Sequence, residues 1–130
     1  MAPSILTRSE ISANALAAHV HADTHGAVVT FEGVVRGEEA GVRIAAIVYE
    51  AYEPMAEREI AKIVDEARAR WGAAIEVRHR VGRVAVGEAS LVVACGAGHR
   101  REAFEATQWV IDRIKAIAPI WKTTFEPGDA

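Results

Sequence analysis

Apolar positions along the chain recur with two periods, and the switches between them divide it into elements. Residues 100–116 place Phe104, Thr107, Val110, Ile111 and Ile114, with Ala118 just beyond, at the three-and-four spacing of one buried helical stripe. Pro119 ends that helix, because proline lacks an amide hydrogen and pushes the residue before it out of helical geometry. Trp109 falls opposite the stripe, where a large aromatic suggests a second buried surface, a partner interface. Residues 91–95 read as a buried strand, and residues 120–125 alternate like another.

Upstream, Thr7 followed by Glu10 reads as a capping box opening a helix that carries Ile11, Ala15, Leu16 and Val20, after a short arm or strand at residues 1–6. His19, His21 and His25 surround its end. Their irregular spacing suits solvated side chains near a helix C-terminus better than a metal site. Residues 26–36 form the first strong strand. Ala27, Val29, Phe31 and Val35 point one way, and Gly33 marks a bulge or a close backbone approach. A polar loop at 36–41 leads to a second strand at 42–52, and the two predict a hairpin. Pro54 suits a helix start. Ile60, Ile63, Val64, Ala67 and Trp71 make one stripe, and Gly72 stops it. Residues 75–80 alternate as a strand, 81–87 form an irregular or short-strand connection, and 90–95 return as a strand. The order α-β-β-α-β-β-α-β predicts an α+β fold, its strands mostly antiparallel and its helices on one face.

Composition narrows the function. The 130 residues predict a single domain with a proper core. A net charge of −3 argues against a general nucleic-acid or anionic-membrane binder, so an anion site must come from local clustering. There is no signal-peptide pattern and no apolar run long enough to span a bilayer. One cysteine, Cys95, excludes an internal disulfide framework and fits a reducing cytoplasm. No metal-ligand spacing is present, and no cofactor is implied.

Local clustering does occur. Gly96-Ala97-Gly98 leads from a strand into His99, Arg100 and Arg101 at a helix start, where free amides favour an anion. Three cations there oppose the helix dipole, a local conflict typical of functional sites; solvated side chains on a surface turn are an equal reading. Arg36 at a strand end reads equally as an anion ligand or as a partner of Glu38 or Glu39. Lys115 lies at the edge of the apolar stripe and Lys122 beyond the proline. A lysine beside apolar neighbours can serve as nucleophile or acid/base, although most lysines are solvated.

The segments GAVVTFEGVVRG, YEAYEPMAE, IVDEARARW, HRVGRVAVGE, GHRREAFEA and IKAIAPIWK, in that order, resemble the molybdopterin synthase catalytic (large) subunit family. The resemblance covers roughly residues 26–122. It implies an α/β hammerhead with ferredoxin-like elements. It also implies a sulfurtransferase that converts cyclic pyranopterin monophosphate (precursor Z) to molybdopterin. The implied sulfur donor is a small ubiquitin-like carrier whose C-terminal Gly-Gly tail ends in a thiocarboxylate, and the large subunit is implied to be a homodimer. Carried over by position, Lys115 and Lys122 correspond to the catalytic lysines, and Arg36, His99 and Arg100 to the substrate-binding cations. On this reading Cys95 is a buried structural residue rather than a persulfide carrier. Two departures are visible: Gly-Ala-Gly stands before His99 where many relatives have a serine-containing turn, and relatives usually continue past the position of Ala130. The competing readings are a non-catalytic ferredoxin-like module for a small ligand or partner, and a different phosphate-handling enzyme. The second lacks a Walker-type loop and a carboxylate cluster.

Overall fold

A computed structural model describes residues 4–129; the first three residues of the expected arm and Ala130 of the expected 1–130 domain lie outside the described residues. In chain order the elements are β1 (Leu6–Thr7), α1 (Ala13–His19), β2 (Ala27–Val34), β3 (Glu38–Glu39), β4 (Val42–Ala51), α2 (Glu53–Trp71), β5 (Ala74–Arg80), β6 (Gly82–Ala85), β7 (Ala89–Ala97), α3 (Arg100–Ile117) and β8 (Ile120–Pro127). This is the α+β class the element order predicts.

The strands make two sheets. The first runs β1-β5-β7-β2, with β1 parallel to β5 and the other pairs antiparallel. The second is built on β4, flanked by β6 and β8 with β3 at its start. The hairpin expected between residues 26–36 and 42–52 does not form. β2 pairs with β7, Ala27 opposite Ala97, while β4 belongs to the other sheet. Alternation shows which face a strand buries but not which strand it pairs with. The local hairpin is instead β3–β4, closed by Ala40 and Gly41, both at positive φ, as a two-residue turn requires.

α2 and α3 lie on one face of the first sheet. Ile60, Ile63, Val64 and Ala67 of α2 and Val110 and Ile114 of α3 pack on Val77, Val93 and Cys95. Fully burying a side chain such as Ile60 contributes about 1.5–3 kcal/mol. The placement of all helices on one face is corrected by α1: its Leu16 and Val20 cover Val92 and Ala94 on the opposite face.

Two local expectations also change. Thr7 belongs to β1, and the cap of α1 is Ser12, whose side chain accepts from the Ala15 amide at 3.1 Å. β1 is drawn into the sheet because the Glu57 carboxylate accepts from the Ile5 and Leu6 amides, at 3.1 and 2.8 Å. Phe104 is exposed, and Ala103 and Ala106 take the sheet-facing positions. Those two alanines bring α3 close to the strands, and Phe104, about 100° further round the helix than Ala103, swings clear.

Candidate active site

A cavity of about 410 Å³ opens where the end of α3, the bulged end of β2 and the β4–β8 pair converge. Each element has a local reason to present its side chain there. At β2, Gly33 pairs with Leu91 and Val34 with Ala89, so Ser90 is the extra residue of a bulge. Its hydroxyl donates to the Gly33 carbonyl at 3.2 Å. A Cβ at Gly33 would sit 3.3 Å from the Phe31 ring, so this is also a close approach. The bulge disrupts the β2–β7 ladder at this end, and two residues past Val34 the Arg36 side chain lines the cavity, with Glu39 3.9 Å away. That distance and the exposure of Arg36 make a weak ion pair that leaves the guanidinium available.

Lys115 comes from the last turn of α3, where a cation also complements the helix dipole. Ala118 is already extended, at φ −69° and ψ 131°, and the Pro119 carbonyl accepts from the Tyr52 amide at 3.1 Å. The chain therefore reverses directly into β8. There Lys122 stands opposite Tyr49, while Val48 pairs with Thr124, so Thr123 is the extra residue of a second bulge. Lys122 Nζ lies 6.0 Å from the Phe125 ring centroid. Arg36, Lys115 and Lys122 thus line one cavity, against the single carboxylate of Glu39. Such a lining suits an anionic ligand.

The buried wall holds His79 and Tyr49, whose rings meet edge to face at 5.6 Å. His79 donates from Nδ1 to the Arg80 carbonyl at 2.8 Å. Burial pushes its imidazole below the ordinary 6.5, and the Arg80 carbonyl acts in the other direction. No group of three or more potential metal ligands clusters among the described residues.

His99 and Arg100 lie elsewhere. They are exposed at the start of α3, where Arg100 is fifteen residues before Lys115, about 22 Å along the helix axis. His99 is the N-cap, with no side-chain capping bond. The glycines before it serve packing. A Cβ on Gly96 would meet the Val20 carbonyl oxygen at 2.0 Å, and the Gly98 carbonyl accepts from the Gly26 amide at 3.1 Å.

The sequence pattern of the MoaE protein family matches residues 6–117. The chain belongs to the MoaE protein family. It is 43% identical over 118 residues to the molybdopterin synthase catalytic subunit of Thermoplasma volcanium, covering 90% of this chain and 86% of that one. The crystal structure of molybdopterin synthase from Staphylococcus aureus superposes with a TM-score of 0.90 at 35% identity, covering 98% of this chain and 95% of that one. A complex of subunits 1 and 2 of the molybdopterin-converting factor from Helicobacter pylori superposes with a TM-score of 0.67 at 28% identity, over 76% of this chain and 65% of that one.

As a MoaE-family chain this is a molybdopterin synthase catalytic subunit, an enzyme of molybdenum cofactor biosynthesis. The matched segment 6–117 contains Arg36, His99, Arg100 and Lys115, and Lys122 lies just past it. His79, Tyr49 and Ser90 are the lining residues that sequence reasoning passed over. The available signal was alternation: His79 follows Ile75 and Val77 on the inward face of β5. Trp109 is half-buried beside Trp71, ring centroids 5.6 Å apart, with Arg70 and Arg113 near its ring.

Proposed function

We propose that this chain, residues 1–130 as one domain, converts cyclic pyranopterin monophosphate to molybdopterin in the cavity between the sheets. The sulfur comes from the thiocarboxylated C-terminal Gly-Gly tail of a small ubiquitin-like carrier. The convergence of Arg36, Lys115 and Lys122 on one cavity carries this reading. The substrate phosphate and the carrier's thiocarboxylate are both anions, and the lining offers three cationic groups for them. Lys115 supplies a proton or positive charge to the oxygen that leaves as sulfur attacks carbon, and Lys122 orients the incoming tail. Arg36 holds the phosphate from the rim.

His99 and Arg100 are too far from Lys115 to serve the same cavity within one chain. In a homodimer, a second copy supplies them, bringing the start of its α3 against the first copy's cavity.

The test is conversion of the cyclic precursor by purified protein and thiocarboxylated carrier, the wild type beside Lys115→Ala. Product from the wild type and almost none from the variant, with carrier binding retained, is the expected result. Normal turnover by Lys115→Ala removes the assignment.

A further inference from the structure

The proposed sulfur transfer leaves one chemical need unmet, and the inference here rests on that reading. When the thiocarboxylate sulfur attacks a substrate carbon, a C–S bond forms and an oxygen substituent leaves. The sulfur is then bonded to both the substrate and the carrier's acyl carbon. To free it, water must add to that carbon. A new C–O bond forms, the acyl C–S bond breaks, the sulfur departs on the substrate as a thiolate, and the carrier departs as a carboxylic acid that ionises to solvent. The attacking water must give one proton to a base. Arginine guanidinium and charged lysine ammonium groups carry donors only. Lys115, once it has given its proton to the leaving oxygen, is the competing base, and the variants below distinguish it from a separate one.

We propose that His79 is the general base that activates this water. Its Nδ1 faces the Arg80 carbonyl at 2.8 Å, and a carbonyl can only accept, so Nδ1 carries the ring proton and Nε2 the lone pair. Nε2 has no hydrogen-bond partner among the described residues. Nε2 is not among the sealed side-chain polar atoms without a partner, which among the described residues belong to Arg80, and the His79 ring itself lines the cavity. The Arg80 carbonyl and the Tyr49 ring fix the imidazole plane. Tyr49 from β4 meets the ring directly, and the other titratable groups lining the same cavity are Lys115 from α3, Lys122 from β8, and Arg36 and Glu39. Glu39 is the other basic group of the lining, and it lies 3.9 Å from Arg36. Burial disfavours the charged imidazolium, against the opposing pull of the Arg80 carbonyl. The protonated ring afterwards returns its proton to the thiolate or to solvent.

Two substitutions separate this role from a structural one. His79→Asn keeps an N–H donor for the Arg80 carbonyl and removes the Nε2 position. His79→Gln sets an amide near the Nε2 position, an acceptor but not a base. Each variant, checked for folding by its thermal transition, is mixed with thiocarboxylated carrier and cyclic precursor for one turnover and read by intact mass. The expected result is a carrier–pterin adduct that accumulates in both variants, is cleaved by hydroxylamine as a thioester is, and decays about 100-fold or more slowly than in the wild type. Release at the wild-type rate from either variant overturns the proposal, and so does lost turnover without the adduct in a folded variant. Absence of both adduct and product in the wild type overturns the sulfur-donor reading itself, and the inference with it.

Discussion

The pair formed by Arg80 and Glu88 offers a quantitative test of what holds the end of β5 against the β6–β7 turn. Arg80 is 6% exposed. Its Nη2 donates to the Arg83 carbonyl at 3.0 Å, but Nε and Nη1 are sealed without a hydrogen-bond partner. Glu88 Oε1 stands 3.7 Å from Nη1, near enough to neutralise charge and too far for a hydrogen bond. The same oxygen accepts from the Ala85 amide at 2.8 Å. Glu88→Ala therefore strands a buried guanidinium and an amide together. Breaking a buried pair from one side costs about 3–5 kcal/mol. The Glu88 side chain is 29% exposed, so water tempers its share. Losing the amide contact adds about 1–2 kcal/mol. The expected loss is about 3 kcal/mol, or roughly 10 °C in Tm. Urea and thermal unfolding followed by far-UV circular dichroism measure it. The decisive variant is Glu88→Ala combined with Arg80→Met, which removes the stranded charge and should restore more than half of the loss. If the double variant is as unstable as Glu88→Ala, or if Glu88→Ala costs under about 1 kcal/mol, an unpaired buried charge is not what the carboxylate prevents.

Three further outcomes follow from the same geometry. His79 has a folded-state pKa below its ordinary 6.5, so the unfolded chain binds the proton more readily. The His79 contribution to stability is present above pH 6.5 and declines as pH falls through the folded-state value; His79→Gln should flatten that part of a Tm-against-pH curve. Gly96→Ala would drive a Cβ to 2.0 Å from the Val20 carbonyl oxygen, so the strand or the end of α1 must shift, costing about 3 kcal/mol or more in urea unfolding. Cys95 is fully buried and its thiol is pushed up by that burial, with an opposing contribution from Thr107; it should resist thiol reagents until the protein unfolds, and Cys95→Ser should keep its synthase activity.

Much of this arrangement was readable along the chain because it rests on local rules. Periodicity found α2 and α3, Gly72 marked the left-handed stop of α2 with φ 61°, and Gly33 marked a real bulge. Arg36, far in sequence from Lys115 and Lys122, does share one cavity with them. What escaped depends on non-local choices. The partner of β2 is β7 because the chain crosses to a second sheet after Val34, which no hydrophobic period records. The start of α1 moved from Thr7 to Ser12 because Glu57, some fifty residues on, holds Ile5 and Leu6 in an extended strand. Phe104 lost its place to Ala103 because close helix-to-sheet packing favours small side chains. His79 looked like one more inward position of an alternating strand, and only the converging elements turn that position into a cavity wall.

The two lysines ride on different halves of the molecule. Lys115 is carried by α3, which is packed on the first sheet, and Lys122 by β8, which is paired into the second. Between them Ile120 packs into three separate apolar clusters and acts as a wedge at the seam. The spacing of the two amines thus depends on how the short α3–β8 connection and the junction of the two sheets are packed. The volume of the side chain at position 120 becomes a dial on that spacing, one that can be turned without touching either lysine.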